Sequence, residues 1–380
     1  MIIDNVEALF TAPEFEETEV FPYAGVKQYF YRGLPYKGRQ TKVFGCCGFP
    51  EHASPDKPVP GIVLVHGGGA TALANWVSLW VERGYAAISM DTCGCVPCWA
   101  KDPYFNQWPQ HEFAGPRGWG NFELAMENVQ DQWVYHALGA VIAGHSLLRS
   151  FPQVDASRIG VTGISWGGVL TLLAAAHDPR FAFAEPVYGT GFLNSVDSAL
   201  SYTNAATTDE QRKRWFELFD PAHSLKNISM PCFMLAGTND KSFPADGFWK
   251  TAEAIPSPVR ILMHREYPHN HTISFQENTI WAFAERVLNK SALPTLTECI
   301  CKDGMLQCQA EDANFTQAIL CWSCGGGLWN GRKWEQCIAD ISKDGVITHP
   351  LPRNARAAYF TASAAHGEQY SSMPWILPEY

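Results

Sequence analysis

The sequence carries little positive charge. Lysine and arginine number 28 against 38 aspartates and glutamates, giving a formal net charge of −10, and charged residues make up only 17% of the chain. Phosphate contacts need clustered Lys and Arg, so a role built on nucleic acid is excluded. No segment approaches the ~20 apolar residues of a membrane-spanning helix, and no membrane partner is expected. Met1–Glu7 lack a basic region followed by an apolar core. No secretory leader is read there, so a cytoplasmic location is the default expectation, and export would require a leader already removed. There is no internal repeat and no low-complexity linker. At the glycine-rich turn near residue 67, neither Gly-x-Gly-x-x-Gly nor Gly-Lys-Ser/Thr is present, which argues against a nucleotide-phosphate cradle.

What the chain does have is core-forming material. Hydrophobic residues account for 46% of its 380 positions, enough for one large domain and a smaller one. Fourteen tryptophans supply core and, in a groove, faces on which sugar rings stack. Twelve cysteines fall evenly between the body and the tail after residue 291. Cys299-x-Cys301 and Cys321-x-x-Cys324 have spacings that zinc sites use. Trp322-Ser323 separates the second pair within a strand-like stretch, however, and cysteine is also an ordinary small buried hydrophobe. Free thiols are expected, with neither metal nor cofactor.

The most informative stretch is Arg158 to Gly168. An apolar run ends in Gly163-Ile164-Ser165-Trp166-Gly167, and the helix-like segment Val169 to Ala176 follows. Strand, tight turn and helix in that order lift a serine hydroxyl out at the end of a parallel strand. Ser165 is the candidate nucleophile. Gly61 to Val65 is a second buried-strand run, opening into His66-Gly67-Gly68-Gly69. Small residues let backbone N–H groups approach an oxygen that becomes an oxyanion. Gly68 and Gly69 are the favoured donors of that turn, with Trp166 supplying the other.

A third apolar run, Met230 to Ala236, ends in Gly237-Thr238-Asn239-Asp240. Asp240 stands where the acid of a Ser, Asp, His chain order belongs, ahead of Asp246 and Asp220. After the strand Val259 to Met263 comes Pro268-His269-Asn270-His271, and a helix is expected from near Ser274. Two histidines compete as base. The distance to the final helix favours His269 and keeps His271 as the alternative. His264, inside the strand, is read as structural.

With these motifs in place the chain resembles α/β-hydrolases of the acetylxylan esterase, cephalosporin-C deacetylase and dienelactone hydrolase kind. It is similar to a bacterial group of acetylxylan-esterase-like proteins. The resemblance rests on His66 to Ala72, Gly163 to Gly168, Gly237 to Asp240 and Pro268 to His271. It covers residues 25 to 290 well and the tail weakly. Ala70, where the group often has glycine, and the many cysteines depart from it. The resemblance implies a serine esterase that removes a small acyl group, acetyl, from a sugar or similar alcohol. A serine peptidase of the same fold and an inactive carbohydrate-binding relative are the alternatives.

The organisation follows from the alternation of strand-like and helix-like segments. The fold class is α/β: a doubly wound, mostly parallel hydrolase sheet over residues 25–291, preceded by an acidic irregular extension over 1–24. A small β-rich accessory domain is expected over 292–380, where no helical period persists. Phe122 to Arg149 reads as one long helix with apolar positions three and four apart. Arg117 and Trp119, in an irregular insertion, and Trp215, on a helix that Thr208 and Gln211 would cap, are candidate substrate contacts.

Overall fold

The computed structural model describes residues 2–97, 108–118, 122–194, 207–312 and 314–377. Its frame is a long twisted sheet. Strands β1 (Phe15–Thr18), β2 (Val26–Arg32), β3 (Lys42–Gly48), β4 (Val59–Val65), β5 (Ala86–Met90), β6 (Val154–Ile164), β7 (Ala184–Val187), β8 (Cys232–Gly237) and β9 (Val259–His264) form its first part. They lie side by side in the order β1-β2-β3-β5-β4-β6-β7-β8-β9. The first three pairings are antiparallel, and every pairing from β5 to β9 is parallel. Strands β4, β5, β7 and β8 are buried almost throughout, as expected of parallel strands covered on both faces.

The covering helices are α1 (Ala74–Val81), α2 (Trp133–Ser150), α3 (Trp166–His177), α4 (Asp209–Phe219), α5 (Ala245–Ala254), α6 (His271–Ser274) and α7 (Asn278–Leu288). Helix α3 is buried along its whole length, because it leaves the central strand β6 and runs back against β6 and β7. Helix α4 opens with the expected capping box: the Thr208 hydroxyl accepts from the Gln211 N–H, and the Gln211 side chain accepts from the Thr208 N–H.

Two expectations are corrected. The single helix from Phe122 to Arg149 is instead two 3-10 turns, Phe122–Leu124 and Val129–Asp131, followed by α2. Gln132 explains the break. Its backbone is extended, and its side-chain amide donates to the carbonyls of Ala125 and Glu127 upstream. The acidic segment 1–24 is not wholly irregular, since it contains a 3-10 turn at Val6–Phe10 and strand β1. Its carboxylates disguise a strand because they point outward, Glu16 to Lys42 at 2.6 Å and Glu17 to Lys27 at 3.2 Å.

Beyond α7 the chain is β-rich: β10 (Thr295–Leu296), β11 (Ile300–Lys302), β12 (Met305–Glu311), β13 (Phe315–Ser323), β14 (Trp334–Ile341), β15 (Val346–Pro350), β16 (Ala357–Ala364), β17 (Gln369–Ser371) and β18 (Trp375–Ile376). All its pairings are antiparallel. Strand β16 shows the two-residue period plainly. Ala357 and Tyr359 join the main core, while Ala358, Phe360 and Ala362 join a second cluster with Leu306, Leu320 and Ile347. Strand β17 meets β9 at Ser371 opposite Ile261, and Arg286 of α7 forms an ion pair with Glu368 at 2.7 Å. Among the described residues eleven cysteines are free, most of them buried, and no helix is long and apolar enough to cross a membrane. Cys98 lies outside the described residues.

Candidate active site

Four loops at the carboxyl ends of β4, β6, β8 and β9 converge. Ser165 sits between β6 and α3 with φ +61° and ψ −121°, a conformation that L residues adopt only under strain. Surrounding contacts hold it there. Its N–H donates to the Val187 carbonyl at 2.8 Å. Gly167, two residues on, lies so close to the Val65 carbonyl that a Cβ at 167 would collide with it. The elbow and the end of β4 are therefore in direct backbone contact.

Next to that elbow, His269 Nε2 lies 2.9 Å from Ser165 Oγ, and His269 Nδ1 lies 2.7 Å from Asp240 Oδ2. The side chain of Asp240 is fully buried. Its second oxygen, Oδ1, accepts from the N–H groups of Ser242 at 2.8 Å and Phe243 at 2.9 Å. Both oxygens are thus satisfied, as a buried carboxylate requires. Because Oδ2 can only accept from Nδ1–H, the neutral ring is left with a bare Nε2 facing the hydroxyl. The arrangement can draw a proton from Ser165 and store the resulting positive charge beside a carboxylate.

His271 does not reach this series. It begins α6, and its ring lies against Gly67, so that a Cβ on Gly67 would fall 2.5 Å from Nε2. Burial, with lesser contributions from His66 and His269, lowers its pKa to about 4. Asp246 falls in the first turn of α5 and pairs with Lys250 at 3.3 Å. Asp220 accepts from the N–H groups of Phe192, Leu193 and Ala222. His264 is bound to Glu277 at 3.0 Å.

The glycine turn is built by its own histidine. His66 is buried, and its Nδ1–H donates to the Gly67 carbonyl at 2.8 Å while Nε2 accepts from the Thr92 N–H at 3.0 Å. Burial holds this ring neutral by lowering its pKa. The Gly67 carbonyl is therefore drawn onto the imidazole, and Gly69 follows in the left-handed region at φ +81°. Trp108 donates from Nε1 to the Gly69 carbonyl at 3.2 Å. Two carbonyls of the turn are thus engaged on other groups, and the turn touches the elbow at Gly67, where an added Cβ would fall 2.8 Å from the Ile164 carbonyl. Trp166 is the first residue of α3, at the helix end where N–H groups project forward.

Two of the three candidate substrate contacts lie among the described residues. Arg117 donates to the Trp108 carbonyl at 3.0 Å, which ties the insertion to the residue holding Gly69. Trp215 is buried, its ring centroid 5.9 Å from that of Trp166 and 4.4 Å from that of Phe122. Trp119 lies outside the described residues.

Sequence reasoning missed Tyr188. It follows β7 with φ +56°, its hydroxyl donates to the Pro268 carbonyl at 3.2 Å, and its ring lies 4.8 Å from His269. Residue type gave no signal, because tyrosine is rarely found in the left-handed region. The only hint was the glycine that follows it. Gly189 packs its backbone against Gly168 of α3.

The chain matches the family model of acetyl xylan esterase (AXE1) over residues 3–242, and that of PhoPQ-activated pathogenicity-related protein over residues 196–326. Its fold is similar to that of the acetyl xylan esterase from Paenibacillus sp. R4, with TM-score 0.58, 21% identity, and coverage of 74% of this chain and 92% of that one. Acetyl xylan esterase 1 from Thermoanaerobacterium sp. JW/SL YS485 gives TM-score 0.55 at 16% identity, covering 74% and 93%. The Pyrococcus horikoshii acylaminoacyl peptidase gives TM-score 0.53 at 20% identity, covering 73% of this chain and 43% of the peptidase. The likeness to these structures shows a shared α/β-hydrolase fold. On the family match, which spans well over half of its residues, the chain belongs to the acetyl xylan esterase family and is a carboxylic ester hydrolase.

Proposed function

We propose that the protein is a serine esterase in which Ser165 is the nucleophile, His269 the general base and Asp240 the residue that holds the base. The observation that carries this reading is the unbroken series from Ser165 Oγ through His269 to Asp240, at 2.9 and 2.7 Å. Nε2 of His269 takes the hydroxyl proton as Oγ attacks the ester carbonyl. The carbonyl oxygen gains negative charge and is met by the N–H of Trp166 and those of Gly68 and Gly69. Collapse expels the alcohol, which leaves with the proton from Nε2 and an acyl-serine behind it. Water then enters, loses a proton to His269, and frees the acid. The protein's own groups suffice for each proton transfer.

The substrate is a small-molecule ester, and we assign it a short acyl group, acetyl, carried by a carbohydrate alcohol. Family membership supports that class. Arg117, Trp119 and Trp215 stay as candidate contacts. Of these, Trp215 has its ring centroid 5.9 Å from that of Trp166, the residue after the nucleophile.

The test is covalent labelling with a fluorophosphonate, followed by turnover on a panel of substrates. One adduct at Ser165, and hydrolysis of p-nitrophenyl acetate faster than of the butyrate, is expected. Acetylated xylan and acetylated monosaccharides should lose acetate. Faster cleavage of amide substrates would favour the peptidase reading. No adduct and no turnover would favour the inactive carbohydrate-binding reading.

A further inference from the structure

We propose that the β-rich region after residue 291 is a positioning element of the active site, and that Asn239 is the residue through which it acts. The inference rests on the reading of Asp240 and His269 as acid and base.

Asn239 immediately precedes Asp240. Its Nδ2 carries two hydrogens, and both are used: one is donated to the Asn330 carbonyl at 3.0 Å, the other to the Arg332 carbonyl at 2.7 Å. Its Oδ1 accepts from the Thr238 hydroxyl at 2.9 Å. The Thr238 oxygen in turn accepts from the N–H of Glu266 at 3.0 Å. Glu266 lies three residues before His269 and sits in the left-handed region at φ +52°. A continuous run of hydrogen bonds therefore joins the turn at residues 330–332 to the acid loop and then to the base loop.

The turn is itself braced. The Arg332 guanidinium stacks 3.5 Å over the Trp329 ring, and Trp329 packs against Trp249 of α5. The base side has further ties to the same region. Arg265 donates to Gln336 Oε1 at 3.2 Å, and the Met263 N–H donates to Ser371 Oγ at 3.0 Å. The acid and base loops also touch one another closely, since a Cβ on Gly237 would fall 2.5 Å from the Tyr267 carbonyl.

The two family patterns cover residues 3–242 and 196–326. The Asn239 contacts thus bind the stretch that resembles other esterases to a turn that neither pattern reaches. A carboxylate orients an imidazole only if its own loop is held, and misplacement by an ångström far from the reacting atoms costs about 100-fold. An amide with both hydrogens committed to one turn is a stiff tie, because moving either loop breaks two hydrogen bonds at once. Asn239 is accordingly a positioning residue that touches neither substrate nor reacting atom.

The test is a pair of substitutions in the full chain and their combination. Asn239→Leu keeps the side-chain volume and removes the amide. Arg332→Ala removes the stack on Trp329 and loosens the turn from the other side. We expect Asn239→Leu to lower kcat on p-nitrophenyl acetate about 10- to 100-fold with KM within about twofold. Arg332→Ala should lower kcat less, and the double variant should be no worse than Asn239→Leu alone, as coupled positions require. A kcat within twofold of the parent in both single variants, or losses that multiply in the double, overturns the proposal. If Asn239→Leu does not fold, the Arg332→Ala kcat decides. Asp240→Asn is measured beside them. Parental turnover there, with loss in Asn239→Leu, would defeat the triad reading while retaining the coupling of tail to site.

Discussion

The ring of His271 rests on Gly67, with only enough room between them for a hydrogen: a methyl carbon at 67 would lie 2.5 Å from Nε2 and 2.8 Å from the Ile164 carbonyl. The second histidine of the base loop is thus a wall of the glycine turn. Gly67→Ala must push either the ring or the turn aside. We expect kcat on p-nitrophenyl acetate to fall about 100- to 1000-fold, the loss associated with one misplaced oxyanion donor, with a lower Tm. Unchanged kcat would remove this turn from the transition state.

The same geometry separates the two histidines. His269→Ala and Asp240→Asn should each cost about 10⁴-fold in kcat, while His271→Gln, which still fills space against Gly67, should cost less than about tenfold. Steady-state kinetics on the three purified variants decide this. Equal losses at 269 and 271 would contradict the assignment.

Ser165 stores backbone strain at φ +61°. Glycine relieves such strain by about 1 kcal/mol or more, whereas alanine does not. Ser165→Gly and Ser165→Ala should both lack turnover, yet Ser165→Gly should melt higher by about 1–2 °C. Calorimetry of the pair isolates the effect, since both lose the same hydroxyl. A lower Tm for the glycine variant would argue against stored strain.

Stability should fall on mild acidification. His271 and His145 are held neutral by burial, each with its pKa lowered to about 4. In the unfolded chain both titrate near 6.5. Between these values the unfolded state binds protons that the folded state refuses, so stability rises with pH across that window. Tm should climb from pH 4 to pH 6.5 and then flatten as far as these two groups are concerned. His271→Gln should show a shallower climb. A Tm that rises as pH drops through the window would contradict the assignment.

The parts legible in sequence were those where residue type and local geometry coincide. The buried runs Gly61 to Val65 and Met230 to Ala236 could be recognised because parallel strands covered on both faces need unbroken apolar character. The elbow at Ser165 could be recognised because only glycine tolerates the crowding at 167. His269 and His271 could not be separated by composition. What distinguishes them is that one ring meets Asp240 and the other meets Gly67, and those contacts cross 29 and 204 positions of chain. The break before α2 was hidden for a similar reason. Gln132 suits a helix by propensity, and its turn back to Ala125 and Glu127 is a matter of side-chain bonding. Tyr188, Thr238 and Asn239 have ordinary residue types, and their work lies in partners from distant segments.

Strand β17 beside β9, with Ser371 opposite Ile261, closes the flank of the parallel row. A fragment ending at residue 291 would bare the backbone of β9 and strip Tyr370 from Phe233, and Trp334 and Tyr359 from Trp249. An uncovered strand next to fresh aromatic surface is a template on which another copy can add its own strand. Cutting the chain at residue 291 would therefore favour self-association.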